Sequence, residues 1–273
     1  MMRKVLTYTI DELSPYVNWI YFYHAWGMTG KPDTEKEKLR QEALFMLGSW
    51  QDTYHAHAVF RLMDANSDGD DLLIEGYRLP LLRQQRGDRD GEPCLCLADF
   101  VRPVTSGKKD RIGVFCATMD HEAVEAYTED IYLRMMAQTL CDRLAEAASE
   151  RMHEEVRRHY WGYAPHEQLG INDILAGNYQ GIRPAIGYPS LPDTSLNFLL
   201  QELLDMEEIG VRLSDSGMMI PHASVSGLMI SHPQARYFEL GEIGDDQLRD
   251  YAQRRGMSLE TARKFLRSSL MER

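Results

Sequence analysis

The chain has 273 residues, 44% of them hydrophobic, enough to bury a sizeable core. Its formal net charge of -12 lacks the cationic surplus that neutralises phosphate, which argues against nucleic acid and anionic membranes as partners. No stretch approaches the length of a membrane span, and the charged start Met1-Met2-Arg3-Lys4 reaches Asp11-Glu12-Leu13-Ser14-Pro15 without the apolar segment of a secretion signal. The four cysteines, Cys94, Cys96, Cys116 and Cys141, fit neither a disulfide framework nor paired zinc spacing, so reduced and mostly buried thiols in a cytoplasmic protein are expected.

In chain order, Gly27, Gly30 and Pro32 mark a loop, and residues 35 to 61 mix charge and apolar side chains at three- and four-residue steps, as amphipathic helices do. Asp64, Asn66, Asp68, Gly69 and Glu75 then satisfy the spacing of a calcium-binding EF-hand loop. The eighth position, normally apolar, is Asp71, and Gly76 and Pro80 would cut the helix that should follow. A polar turn before a strand Leu72-Leu73-Ile74 is the expected structure. The segments Leu95 to Val101 and Ile112 to Ala117 read as neighbouring strands bounded by turn residues.

From Glu122 to His159 there is neither Gly nor Pro, and Leu133, Met136, Leu140, Leu144 and Ala148 step by three or four. One long helix with one buried stripe follows. His153 and His159 near its end are six apart, so one helical face cannot present both to a metal. Loop residues then recur from Gly162 to Pro192, and so much irregular chain usually carries function. A helix over 195 to 208 and strands over 211 to 240, turning at Ser216-Gly217 and Ser226-Gly227, come next. Short helices over 245 to 256 and 258 to 270 close the chain. Without a regular strand-helix rhythm, the pattern predicts an α+β fold, a mostly antiparallel twisted sheet with flanking helices. It reads as one domain over 1–273, with a helical part to about residue 60 and the sheet and long helix after it. No nucleophile elbow, phosphate loop or dinucleotide fingerprint appears, which argues against a self-contained hydrolase or dehydrogenase.

Two blocks carry the most information. The first is Tyr160-Trp161-Gly162-Tyr163-Ala164-Pro165 with Tyr179-Gln180-Gly181-Ile182-Arg183-Pro184-Ala185-Ile186-Gly187-Tyr188-Pro189 and Asp193. The second is Ala223-Ser224-Val225-Ser226-Gly227-Leu228, Ser231-His232-Pro233-Gln234-Ala235-Arg236-Tyr237-Phe238, and Asp250-Tyr251-Ala252-Gln253-Arg254-Arg255-Gly256-Met257. Together with Asp142-Arg143-Leu144-Ala145-Glu146-Ala147 and Leu97-Ala98-Asp99-Phe100-Val101, they resemble the activation domain of cobalamin-dependent methionine synthase over most of the chain.

The resemblance implies a domain that binds S-adenosylmethionine and presents it to an oxidised cobalamin, with the electron from a flavodoxin-type donor. The corrinoid does the chemistry. The ligand's carboxylate calls for a forked cation, its sulfonium and ammonium for a carboxylate, and its adenine for a flat apolar slot. By resemblance, Arg183 takes the carboxylate and Glu146 faces the cationic groups. Backbone near Ala185 and Gly187 holds the adenosyl part, Tyr237 and Phe238 flank the nucleoside, and Tyr188 faces the corrinoid.

The family places an aspartate before Trp19, where this chain has Asn18. Losing a charge-assisted hydrogen bond there would cost roughly 1.5 to 3 kcal/mol, about ten- to hundredfold in affinity. With the whole chain matched to one module, the expectation is a stand-alone activator acting on a separate synthase chain, one component of a methyltransferase system and not a complete enzyme. Arg157, Arg158, Arg254 and Arg255 are the candidates for a basic patch that receives an acidic electron donor. The alternative is a binding or sensor module of the same fold with an altered ligand, acting on another corrinoid protein.

Overall fold

The structure, a computed structural model, describes residues 2–87 and 91–271; Met1 of the charged start and the last two residues of the span 1–273 lie outside it. Strands β1 (Met2–Thr9), β2 (His55–Asp68), β3 (Asp71–Ile74), β4 (Tyr77–Pro80), β5 (Asp110–Met119) and β8 (Ser224–Met229) form a six-stranded sheet in which every pairing is antiparallel. Its order is β4-β3-β2-β5-β8, with β1 beside the first half of β2. Two short strands, β6 (Arg212–Leu213) and β7 (Met219–Ile220), pair separately. The helices are α1 (Ile10–Leu13), α2 (Trp19–Ala25), α3 (Asp33–Trp50), α4 (Glu122–Glu125), α5 (Ile131–Glu155), α6 (Ile171–Leu175), α7 (Leu196–Leu204), α8 (Asp245–Arg255) and α9 (Leu259–Phe265). The α+β class with an antiparallel sheet and flanking helices is therefore as the sequence predicts.

The sheet's two faces follow the period of two. Ala56, Ala58, Phe60 and Leu62 of β2 and Phe115, Ala117 and Met119 of β5 point to one side, where α1, α2, α3 and α5 cover them. Val59 and Met63 of β2 with Ile112, Val114 and Cys116 of β5 point to the other, under α7 and the segment 95–101. A third cluster, built on Leu248, Tyr251, Ala252, Ala262 and Leu266, joins α8 to α9. Tyr251 donates a 2.6 Å hydrogen bond to buried Asp193, and Arg255 reaches Ser195, so the end of the long loop is tied to α8.

Several sequence expectations change. The helix expected from 122 breaks after Glu125, because Asp130 accepts the Leu133 N–H and starts a new helix as its N-cap. That helix runs from 131 and ends in a π-helical turn, Val156–Tyr160; Met136, Leu140, Leu144 and Ala148 are buried, while Leu133 is exposed. Residues 55 to 61 are strand, not helix, and β1 begins the sheet ahead of the N-terminal helices. Leu97–Phe100 is a 3-10 turn, because Asp99 turns back to accept the Cys96 N–H. Ser226 and Gly227 lie inside β8, not in a turn.

Asp64, Asp68 and Glu75 are each held by a cation: Lys109 at 2.8 Å, Arg78 at 2.7 Å and Arg61 at 3.0 Å. The EF-hand spacing is thus filled by ion pairs along β2 to β4. Cys96, Cys116 and Cys141 are buried free thiols, and burial pushes their pKa values up.

Candidate functional site

Four segments of the chain meet around one cavity of about 910 Å³, within the roughly 300–1,000 Å³ of small-molecule sites. Helix α2 supplies Asn18 and Tyr21, α5 supplies Arg143, Glu146 and Glu150, the loop 179–190 supplies Tyr179, Arg183, Ala185 and Tyr188, and Tyr237 and Phe238 close one side. Of the ligand-site and corrinoid-facing residues that the resemblance implies, all line this cavity except Gly187. Gly187 instead shapes the turn: its φ is +87°, and its N–H donates to the Leu191 carbonyl at 2.8 Å.

The loop is fixed by its backbone. Ile182 exchanges 2.9 Å hydrogen bonds with Ile230, and the Leu228 N–H donates to the Pro184 carbonyl at 3.0 Å, so the loop crosses the end of β8 at contact distance. A Cβ on Gly227 would stand 2.2 Å from the Pro184 oxygen, and one on Gly181 would stand 2.3 Å from the Ile230 oxygen. Glycine is what allows this approach.

Arg183, read from sequence as the carboxylate ligand, is only 6% exposed. Its Nη2 donates to Glu150 Oε1 at 2.6 Å, and its guanidinium lies 5.3 Å over the Phe115 ring. Burial works against its charge, yet Glu150 beside it holds the guanidinium protonated. The Arg183 N–H donates to the Tyr237 hydroxyl at 2.9 Å, which in turn lies 3.4 Å from the Tyr179 hydroxyl.

Glu146 is not a free solvated carboxylate: it accepts the Tyr188 hydroxyl at 2.7 Å. Burial and this neighbour raise the Tyr188 phenol, which stays protonated while half of the residue remains exposed. Asn18 is the N-cap of α2, its Oδ1 accepting the Ile20 N–H at 3.1 Å. Aspartate caps as well as asparagine, so the residue sets the charge at this wall and leaves the helix unchanged.

Beneath the cavity lies a second layer that the sequence reading passed over. Tyr179 is held edge-on by His153 at 5.0 Å and under the Arg157 guanidinium at 4.1 Å. Arg157 is fully buried and bidentate to Glu167, with contacts from 2.7 to 3.2 Å. His153 is buried, and burial, then Arg157 and Arg183, hold its pKa well below 6.5. Glu146, Glu150, His153 and Arg157 are spaced i, i+4, i+7 and i+11, which puts them on one face of α5 and the turn that ends it. That spacing was the available signal.

The four arginines expected to form a docking patch are all paired within the chain, and Arg157 is fully buried. Arg157 pairs with Glu167, Arg158 with Glu154 at 2.8 Å, Arg254 with Asp71 and Asp250, and Arg255 with Asp193. Their charge is spent inside the chain.

The family description "Vitamin B12 dependent methionine synthase, activation domain" matches residues 9–256. Among solved structures, the chain is similar to a crystal structure of the MetH reactivation domain bound to AdoHcy, at a TM-score of 0.93 and 36% sequence identity, covering 100% of this chain and 91% of that one.

Proposed function

The chain belongs to the vitamin B12-dependent methionine synthase activation-domain family, and on that footing we propose that its cavity binds S-adenosylmethionine and presents it for reductive remethylation of a cobalamin carried outside these 273 residues. The observation that carries the reading is Arg183, a buried guanidinium in a small-molecule cavity that Glu146, Tyr188, Tyr237 and Phe238 also line. That donor set fits the ligand: Arg183 for the carboxylate, Glu146 for positive charge, Tyr237 and Phe238 for the nucleoside. The neighbouring structure's AdoHcy, which shares the nucleoside and amino-acid ends, supports the same choice.

When bound, S-adenosylmethionine supplies an electrophilic methyl group, and a flavodoxin-type donor supplies the electron. The chain's own residues orient and shield. The Ile182 and Pro184 hydrogen bonds fix the Arg183 backbone, so binding energy is not spent ordering the loop. Glu146 holds the half-exposed Tyr188 at the cavity rim, on the side from which a corrinoid would approach. No helix among the described residues is long and apolar enough to cross a membrane; we read the chain as one cytoplasmic domain.

In its trans-acting form, the proposal is that the chain reactivates a methionine synthase borne on a separate polypeptide. Purified chain, a reductant and S-adenosylmethionine should return the methylcobalamin absorbance of a cob(II)alamin-loaded synthase lacking its activation domain. Arg183→Ala should not. Equal recovery with and without the chain would defeat the proposal.

A further inference from the structure

The Arg183–Glu150 pair differs from the other buried arginine pair in this part of the fold. Arg157 meets Glu167 fork-on-fork, both its Nε and Nη2 engaged. Arg183 meets Glu150 end-on, through one nitrogen at 2.6 Å, although their side chains are only 5% and 17% exposed. Glu150 Oε2 and Arg183 Nε are buried without a partner. The Arg157 pair leaves only Arg157 Nη1 over and saturates its carboxylate, whereas here both members are left short, although an unmade hydrogen bond in a buried charged group is costly.

An end-on contact has a different use. It neutralises the guanidinium and sets its direction while committing a single nitrogen of a fork that carries about five N–H donors. The backbone of Arg183 is already fixed by Ile182, Pro184 and the Tyr237 hydroxyl, so the side-chain direction is the remaining freedom. Glu146, one turn along α5 from Glu150, offers that cation a competing carboxylate, but it is engaged by Tyr188.

We propose that Glu150 is the positioning residue of this cavity, holding Arg183 end-on so that the uncommitted guanidinium donors read the α-carboxylate of a nucleoside that carries an amino acid. This rests on the binding reading above and assigns within it the residue that sets preference for the amino-acid end. Glu150 acts through Arg183, and the adenosyl part of the ligand does not depend on it.

The test is calorimetric titration of the full chain with two probes, S-adenosylhomocysteine and 5′-methylthioadenosine, which lacks the amino-acid end. Glu150→Asp withdraws the carboxylate by one methylene and Glu150→Met removes it. Each should weaken S-adenosylhomocysteine roughly tenfold or more and leave 5′-methylthioadenosine unchanged. Glu150→Gln keeps an acceptor for Nη2 and should stay within about threefold of wild type for both probes. Should Glu150→Met fail to fold, Glu150→Asp carries the comparison. In an Arg183→Ala background, Glu150→Asp should add nothing further. Equal weakening of both probes, or S-adenosylhomocysteine binding indifferent to Glu150→Asp, overturns the assignment while leaving the binding site standing. Wild-type chain that binds neither probe overturns the binding reading and this assignment with it.

Discussion

The corner where β2 turns into β3 and the floor of the cavity are both built from arginines and carboxylates, yet they are finished differently. At the corner, buried Asp71 receives Arg78 on one oxygen at 2.5 Å and Arg254 on the other, while Arg83 bonds both Asp70 and Asp99. At the floor, one 2.6 Å contact joins Arg183 to Glu150 and a polar atom of each is left over. A network that satisfies itself stabilises the fold and asks nothing of a ligand; one that leaves donors over is suited to receive a partner.

The largest expected effect sharpens that contrast from the structural side. Asp71→Ala strips two arginines of their shared acceptor; since both reach solvent in part, it should cost roughly 2 to 3 kcal/mol in urea denaturation and leave ligand affinity at the wild-type value. Next, Arg183→Ala should weaken S-adenosylmethionine about ten- to hundredfold by titration. A change in affinity from Asp71→Ala, or none from Arg183→Ala, would break the distinction between the two clusters.

Asn18→Asp restores a charge at the cavity wall without altering the cap of α2. Ligand affinity should rise by up to roughly tenfold and the denaturation midpoint should stay in place. Unchanged affinity would remove Asn18 from the site.

The smallest effect concerns the layer beneath. His153 has a folded pKa below the unfolded value near 6.5, so the unfolded chain takes up its proton first as pH falls. Its contribution is therefore fully present above about pH 7 and is lost as pH drops through 6.5 toward the folded value. Between pH 7 and 5.5 that loss should be about 1 kcal/mol, and His153→Gln should lose correspondingly less over the same interval. Parallel curves for the two proteins would show that His153 is not buried neutral.

Legibility in the sequence followed how local each cause is. The short apolar run of β5 and the apolar stripe of α5 were readable because each depends on its own neighbours, and the block from Tyr179 to Pro189 marked the pocket loop. The break at 126–130 was not, because it needs Asp130 to cap α5 where nothing in the composition interrupts a helix. In sequence Glu150 is one of an i, i+4 row with Asp142 and Glu146, the pattern of a solvated helix face; its partner lies 33 residues away and reaches it only through the loop's crossing of β8. The four arginines divide: the i, i+4 partners of Arg158 and Arg254, Glu154 and Asp250, are visible in sequence, whereas Glu167, Asp71 and Asp193 are brought to Arg157, Arg254 and Arg255 by the fold.

Calorimetric titration of the unmodified chain with S-adenosylmethionine tests most directly the assignment of the Arg183 cavity as an S-adenosylmethionine site. A saturable heat with one site per chain, abolished or strongly weakened in Arg183→Ala, is the result the account requires. Absence of saturable binding in the wild-type chain, with the fold intact by circular dichroism, would contradict it.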